Sequence, residues 1–166
     1  MEPVPPERRP GERRLEGRLA YEQALDELIA NAAHTVRIFD KSIGRSFNSP
    51  GRCELLRRLL LARCTNRACF VLHETENIVR DCPRLVLLLR RFSQSVIIRQ
   101  TLPDARGVYD PFAIADAARF VRRFHYAGAR GIAVIGDVAA TGLLLERYEQ
   151  IWQASVPALA ATTLGL

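Results

Sequence analysis

The spacing of apolar residues changes between a helical and a strand period several times along the chain. The segment 19–32 repeats leucine and isoleucine at helical spacing, and the segment 35–40 then alternates, with Val36, Ile38 and Asp40 on one side. The same patterns predict helices over 19–32, 53–63, 81–92 and 140–155, and strands over 35–40, 68–74, 95–102, 111–116, 118–124 and 132–137. Because helices separate the early strands and the late strands follow one another, we expect an α/β fold with a mixed β-sheet sandwiched by helices.

The two ends of the chain differ in composition from the middle. Residues 1–14 are rich in proline, glutamate and arginine, which predicts a disordered tail. Residues 156–166 are small and uncharged and are expected to form a C-terminal tail, or to lie on the core as an extra segment. One domain over 15–155 is predicted between them. No apolar run reaches the roughly 18 residues that cross a bilayer, and residues 1–14 lack a signal-peptide core, so we expect a cytoplasmic protein without a membrane partner.

The basic residues are almost all arginine. The net charge is +6, and 23 of the 24 basic residues are arginines. Arginine suits phosphate and carboxylate groups, so an anionic or nucleic-acid partner is one hypothesis, and arginines at solvated positions are the other. The four cysteines form no CxxC pair and match no usual zinc spacing, so free thiols that are mostly buried are expected, with no metal and no cofactor.

Polar residues follow two of the predicted strands. Asp40 and Lys41 end the strand 35–40, and His73 and Glu74 end the strand 68–74. Ligands of α/β proteins bind at the carboxyl ends of parallel strands, so these four residues are a candidate cleft. Ordinary loop polarity explains them equally.

Three arginines lie on one predicted strand. Arg119, Arg122 and Arg123 are candidates for binding phosphate. Strand alternation places Arg119 and Arg123 on one face and Arg122 on the other, which favours salt bridges or solvation instead.

Two acids flank the predicted strand 111–116. Asp110 and Asp116 are about 20 Å apart on an extended strand, whereas catalytic carboxylate pairs need roughly 5–9.5 Å. Asp116 is interpreted as a cap of the following turn. If residues 117–118 form a two-residue hairpin turn, Asp110 faces His125, as an ion pair or with His125 as a general base.

The element order, with a few anchor residues, resembles one half of the phospholipase D-like fold. In that superfamily an apolar strand, an acid and a helix with a late tryptophan close the domain. Here these features are similar to 132–135, Asp137, Tyr148 and Trp152, within a resemblance over 19–155. The chain looks closest to small bacterial domains of unassigned function in that superfamily.

The resemblance also says which reactive groups to seek. Active members carry the motif HxK(x)4D, in which the histidine attacks phosphorus, the lysine neutralises the phosphate and the acid orients the histidine. The acid position resembles Asp116, but Tyr109 and Pro111 stand where the histidine and lysine are required. The resemblance therefore implies a degenerate, non-catalytic half-domain that binds a protein partner or forms a homodimer, since active members build one site from two halves. The alternatives are an arginine-based binder of nucleic acid or phosphorylated ligand, and a phosphodiesterase-type hydrolase with atypical residues.

Overall fold

The computed structural model describes residues 10–160. Within them the chain forms eight strands, β1 (Glu12–Glu16), β2 (Thr35–Asp40), β3 (Arg67–Leu72), β4 (Val96–Thr101), β5 (Phe112–Ala115), β6 (Arg119–Arg123), β7 (Arg130–Ile135) and β8 (Ser155–Leu159). The same residues form five α-helices, α1 (Arg18–Ala30), α2 (Pro50–Ala62), α3 (Ile78–Asp81), α4 (Pro83–Arg91) and α5 (Val138–Gln153). The predicted helices and strands are all present, with bounds that differ by a few residues.

All eight strands belong to one mixed sheet, in the order β1-β7-β6-β5-β2-β3-β4-β8. Strands β2, β3 and β4 run parallel to one another, and every other pair is antiparallel. Helices connect the parallel strands, while β5, β6 and β7 follow one another as a meander. The predicted mixed α/β sheet is confirmed.

Alternation along the strands divides the apolar residues between two layers. Val36 and Ile38 of β2 pack on the side of α1, α2 and α4. Phe39, between Ile38 and Asp40, points to the opposite side and packs with Tyr148 of α5. This period of two is why the sheet has a helical layer on each face.

Both ends of the described chain correct an expectation. The segments expected to be tails contribute β1, which pairs with β7, and β8, which pairs with β4. Leu15 of β1 is buried, and Arg13 forms a salt bridge of 2.7 Å with Glu27 on α1. Residues 12–14 therefore lie in a strand and not in a disordered tail, and residues 156–159 follow the alternative expectation of an extra segment on the sheet. Residues 1–9 and 161–166 lie outside the described residues.

The hairpin between β5 and β6 has a different register from the predicted one. Ala115 pairs with Arg119, so the loop contains three residues, and Phe112 faces Arg122 rather than Arg123. Asp116 begins this loop with a left-handed φ of 54°, a conformation that aspartate adopts more readily than most residues. The expected pairing of Asp110 with His125 is wrong, because the extra loop residue shifts every pair by one position.

Within residues 10–160, no helix combines the length and the apolar character required to cross a membrane.

Candidate functional site

A pocket of about 250 Å³ opens where β2 ends; we call it the strand-end pocket. Its walls come from three parts of the chain. Tyr21 is on α1, Asp40 and Lys41 are at the end of β2, and Arg123 and Tyr126 are at the end of β6 and just beyond it. The predicted strand-end residues Asp40 and Lys41 therefore lie in one pocket, together with an arginine that the sequence placed in a separate cluster.

Asp40 is the partly buried carboxylate of this pocket. One of its oxygens accepts a hydrogen bond from the backbone N–H of Lys41 at 2.7 Å. Burial raises the pKa of Asp40 to about 6, although hydrogen bonds from the backbone and the charge of Arg123 act in the opposite direction. The pKa of the neighbouring Tyr21 is also raised, by burial and then by the charge of Asp40.

Two cations approach Asp40 without forming a salt bridge to it. Arg123 donates through Nε to the carbonyl oxygen of Gly128 at 3.1 Å, and it also donates to the carbonyl of Tyr126. The Nζ of Lys41 lies 3.5 Å from Glu74 and 4.9 Å from the ring centre of Tyr126. The charge of Asp40 is consequently offset only at a distance.

His73 and Glu74, the other two residues of the predicted cleft, separate in the structure. The His73 ring is buried, with Nδ1 2.6 Å from the Thr101 hydroxyl and Nε2 2.7 Å from the Val108 carbonyl oxygen. Both ring nitrogens are thus occupied, and His73 holds the chain between β4 and β5. Glu74 is exposed and is not part of the pocket lining, and its carboxylate lies 3.5 Å from Nζ of Lys41 at the rim.

An exposed group of aromatic rings borders the strand-end pocket; we call Tyr109, Phe124, His125 and Tyr126 the aromatic edge. His125, Tyr109 and Tyr126 are in mutual ring contact: the His125 ring centre lies 5.8 Å from that of Tyr109 and 4.5 Å from that of Tyr126, and the two tyrosine centres are 6.0 Å apart. The backbone N–H of Tyr126 donates to the Tyr109 carbonyl at 2.8 Å, which fixes this arrangement. Tyr109, at the position that the resemblance assigns to a nucleophilic histidine, is therefore part of an aromatic stack.

Asp110 is held by two arginines and not by His125. It is buried, and it accepts a hydrogen bond from Nε of Arg122 at 2.8 Å and bonds from both terminal nitrogens of Arg147 on α5. The next residue, Pro111, is buried as well. Both partners of Asp110 are cations, so the carboxylate is engaged in an ion-pair cluster that joins β6 to α5.

Asp116 has a different role from the predicted turn cap. Its two carboxylate oxygens accept hydrogen bonds from the backbone N–H groups of Ala33, His34 and Thr35 at 2.8–3.0 Å. Partial burial alone would raise the pKa of Asp116, but these three hydrogen bonds more than offset it and lower the pKa. The carboxylate therefore fixes the start of β2, which is distant in sequence.

The three arginines predicted to form a phosphate site do not come together. Arg119 lines an apolar cleft between α1 and the strands β6 and β7, Arg122 binds Asp110, and Arg123 faces the strand-end pocket. The predicted division between two strand faces accounts for the separation of Arg122, whereas Arg119 and Arg123 lie at opposite ends of β6.

The described cysteines are free thiols. Cys53 and Cys82 are buried, Cys69 is partly buried and Cys64 is exposed. Within residues 10–160, no group of three or more histidine, cysteine or acidic side chains could hold a metal ion.

Sequence reasoning missed three residues of the site region. Tyr21 reads as one more apolar position on α1, Tyr126 follows a strand without any motif, and Arg147 lies on the polar side of α5. The only signal for Tyr126 was the short aromatic run at 124–126. Their roles depend on contacts between distant segments, which local patterns do not carry.

Solved structures with the same fold share little sequence with this chain. The archaeal chromatin protein TrmBL2, whose structure shows a novel mode of DNA binding, matches with a TM-score of 0.63 at 14% identity and covers 95% of this chain. This chain spans 56% of the length of TrmBL2. Nuc from Salmonella typhimurium, a phospholipase D family member, matches with a TM-score of 0.59 at 14% identity, over 90% of this chain and 99% of its own.

A third structure, NucT from Helicobacter pylori, gives a TM-score of 0.58 at 13% identity and covers 89% of this chain and 98% of its own. These matches confirm a phospholipase D-like fold. A search of curated proteins gave no match. A family model described as "Domain of unknown function (DUF7931)" matches residues 17–164. Since that match includes most of the chain, the protein belongs to the DUF7931 family.

Proposed function

We propose that this protein is a non-catalytic phospholipase D-like half-domain that forms a homodimer through its aromatic edge. The observation that carries the proposal is the stack of Tyr109 on His125 at the place of the reactive histidine. The cytoplasmic location and bacterial origin suggested by the sequence stay predictions beside it.

The environment of the missing motif supports the absence of catalysis. Pro111 has no cation to offer a phosphate, and Asp110 between it and Tyr109 is already bound by Arg122 and Arg147. His125 accepts a hydrogen bond at Nδ1 from the backbone N–H of Ala127 at 3.1 Å, and its ring contacts the rings of Tyr109 and Tyr126. Among the described residues no carboxylate pairs with His125 to orient it as a base.

Exposed aromatic surface supports self-association. Tyr109 and Phe124 are 52% and 54% exposed, which is unusual for large rings on the surface of a monomer. Aromatic residues are enriched where protein surfaces meet, and a two-fold axis would place the same rings against one another. The resemblance adds that active members join two halves at this position.

Sedimentation velocity across a range of concentrations tests the dimer. The wild-type protein should shift from monomer to dimer as concentration rises, and Phe124→Ser should weaken the dimer by at least about tenfold, since one buried aromatic ring contributes more than 1.4 kcal/mol. Leu143→Ser is the matched control, because Leu143 is 69% exposed on α5. A wild-type protein that stays monomeric at every concentration, or equal effects of both variants, would refute the proposal.

Hydrolysis of bis(4-nitrophenyl) phosphate tests the other half of the proposal. We expect no turnover above the buffer blank. Turnover that is lost in His125→Ala would instead support the alternative of a hydrolase with atypical residues.

A second candidate function, binding of nucleic acid, rests on where the charge lies. Residues 44–95 contain ten arginines and four acidic residues, so they carry the whole net charge of +6. On the outer helices, Arg57 and Arg58 share Glu54, whereas Arg84 and Arg91 form no salt bridge with a carboxylate of the described residues. The likeness to TrmBL2, described as binding DNA, is consistent with this candidate.

Titration of duplex DNA at increasing salt tests this candidate. The logarithm of the binding constant should fall linearly with the logarithm of the salt concentration. Arg84→Glu with Arg91→Glu should reduce the magnitude of the slope by about 2, whereas the control pair Arg106→Glu with Arg130→Glu, on exposed arginines outside 44–95, should leave it unchanged. No binding at low salt, or equal effects of the two pairs, would remove the candidate.

A further inference from the structure

One hydroxyl of the strand-end pocket has no partner among the described residues. Tyr21 is only 6% exposed and lines the pocket, yet its hydroxyl forms no hydrogen bond with any of residues 10–160. This hydroxyl does not belong to the enclosed polar atoms that lack a partner, so it faces the open space of the pocket. It is therefore available to a ligand there, as a donor or as an acceptor.

Asp40 is the second group that a ligand would satisfy. Within the described residues its carboxylate forms no salt bridge, and Arg123, whose charge acts on Asp40, donates instead to the carbonyls of Tyr126 and Gly128. The other carboxylate of the pocket, Glu22, is already 2.7 Å from the buried Arg52. A carboxylate beside an unpaired tyrosine hydroxyl suits a ligand ammonium group, which donates several hydrogen bonds and carries the opposite charge.

The rim of the same pocket carries two positively charged side chains, Lys41 and Arg18. Lys41 is bound to Glu74 only through a 3.5 Å ion pair between two exposed side chains, and Arg18 lies 4.0 Å from Glu22 with most of its side chain in solvent. Exposed ion pairs of this kind contribute little free energy, so both cations can turn to an anionic group at the mouth. The volume of about 250 Å³ limits the ligand to a small molecule.

We propose that the strand-end pocket binds a small zwitterion, whose primary ammonium group contacts Asp40 and Tyr21 and whose phosphate or carboxylate group contacts Lys41 and Arg18. The shared chemistry is an ammonium group and an anion separated by a short linker, free in solution or as a lipid headgroup. This inference stands apart from the proposed dimer, because Asp40 and Tyr21 do not belong to the aromatic edge.

Isothermal titration calorimetry with four probes tests the ligand chemistry. O-Phosphoethanolamine and β-alanine carry both charges, whereas ethanolamine and inorganic phosphate carry one each. At least one zwitterion should bind at least about tenfold more tightly than either half, because two charged contacts then act together. O-Phosphocholine, which keeps the charge but has no N–H donor, should bind at least about tenfold more weakly than O-phosphoethanolamine.

Variants assign the two ends of the ligand. Asp40→Asn and Tyr21→Phe should each weaken binding of the zwitterion and of ethanolamine, whereas Lys41→Gln should weaken binding of the zwitterion and of inorganic phosphate but not of ethanolamine. Lys41 is partly exposed, so Lys41→Gln should fold normally. This variant keeps the proposal testable if Tyr21→Phe, at a buried residue, fails to fold. Tyr109→Phe, a conservative change outside the pocket, is the control and should bind like the wild type.

Vesicles separate the two sources of the ligand. If vesicles containing phosphatidylethanolamine bind and pure phosphatidylcholine vesicles do not, the ligand is a headgroup, and if only the free compounds bind, it is a soluble zwitterion. Failure of both zwitterions and of both vesicles would overturn the proposal. Binding that is unchanged in Asp40→Asn, Tyr21→Phe and Lys41→Gln would also overturn it. A monomeric protein that binds the zwitterion would refute only the proposed dimer.

Discussion

At the level of single residues, the charge of Asp40 in the strand-end pocket is set by opposing effects on its pKa. Its carboxylate is partly buried. The pocket around it contains Tyr21 and Glu22 from α1, Arg123 from β6, and Lys41, the residue that follows β2. Burial raises the pKa to about 6, while Arg123 and the backbone N–H of Lys41 limit the rise. Asp40 therefore changes its charge close to neutral pH, where an ordinary aspartate would stay ionised.

Replacement of Asp40 by asparagine should change how stability depends on pH. The folded-state pKa is about 6 against 3.8 for the ordinary group, so folded Asp40 holds its proton more tightly than the unfolded residue. Its contribution to stability is present at low pH and is lost as the pH rises from about 4 to about 6. The Asp40→Asn variant does not lose stability in this way. Its free energy of unfolding minus that of the wild type should therefore increase by up to about 3 kcal/mol as the pH rises from about 4 to about 6.

Urea denaturation at a series of pH values measures this difference. Asp104→Asn, at an exposed aspartate, is the matched control and should follow the wild-type curve. Wild-type and Asp40→Asn curves that stay parallel from pH 4 to pH 7 would contradict the role given to burial.

At the level of elements, strands β6 and β7 come close to each other at Gly131. Gly131 pairs with Arg123, and a Cβ atom at Gly131 would lie 2.3 Å from the backbone carbonyl oxygen of Arg122. Gly142 in α5 differs, because a Cβ atom there would meet nothing within 4 Å.

The two glycines should therefore respond in opposite ways to alanine. Gly131→Ala forces one strand away from the other and should lower the free energy of unfolding by about 1–3 kcal/mol. Gly142→Ala should raise it by up to about 1 kcal/mol, because alanine is the better helix former. Thermal melts of the two variants provide the comparison, and a Gly131→Ala protein that melts with the wild type would show that the strands yield without cost.

The interior elements were predictable from local pattern, and the edge elements were not. Strand β2 has buried apolar residues on both faces, Val36 and Ile38 on one and Phe39 on the other, so it stands out as an apolar segment in the sequence. Strand β1 has a single buried apolar residue, Leu15, and β8 contains Pro157, which is tolerated at an edge but argues against a strand in the sequence. The hairpin register depended on the conformation of Asp116 alone, which no period reveals.

Only those residues of the candidate site that lie at the end of a single strand were predictable from the sequence. Asp40 and Lys41 follow from the rule that strands end at a common edge, although binding by them stays a prediction. His73 comes one residue after β3 ends, and its ring is drawn into the core by Thr101 and the Val108 carbonyl. Tyr21 joins the pocket from a helix that precedes β2, so its part depends on packing between elements.

For the molecule as a whole, the thiols report on global unfolding. Cys64 is exposed, whereas Cys82 has no exposed surface, and burial raises its pKa to about 11. Iodoacetamide should therefore modify Cys64 in the native protein at a rate that does not depend on urea. Cys82 should react only through unfolding, at a rate that increases with urea. Mass spectrometry of digested samples measures both rates, and equal labelling of the two residues without urea would contradict the buried position of Cys82.

The position of β1 determines the order in which the sheet can be completed during synthesis. Its only strand partner among the described residues is β7, where Glu12 pairs with Val134, so β1 stays unpaired during synthesis until β7 has been made. Four of its five residues are charged, which discourages pairing with another chain in that interval. The edge strand β1 is therefore synthesised early and paired late. The charges that leave β1 without an apolar pattern in the sequence also protect the nascent protein from aggregation.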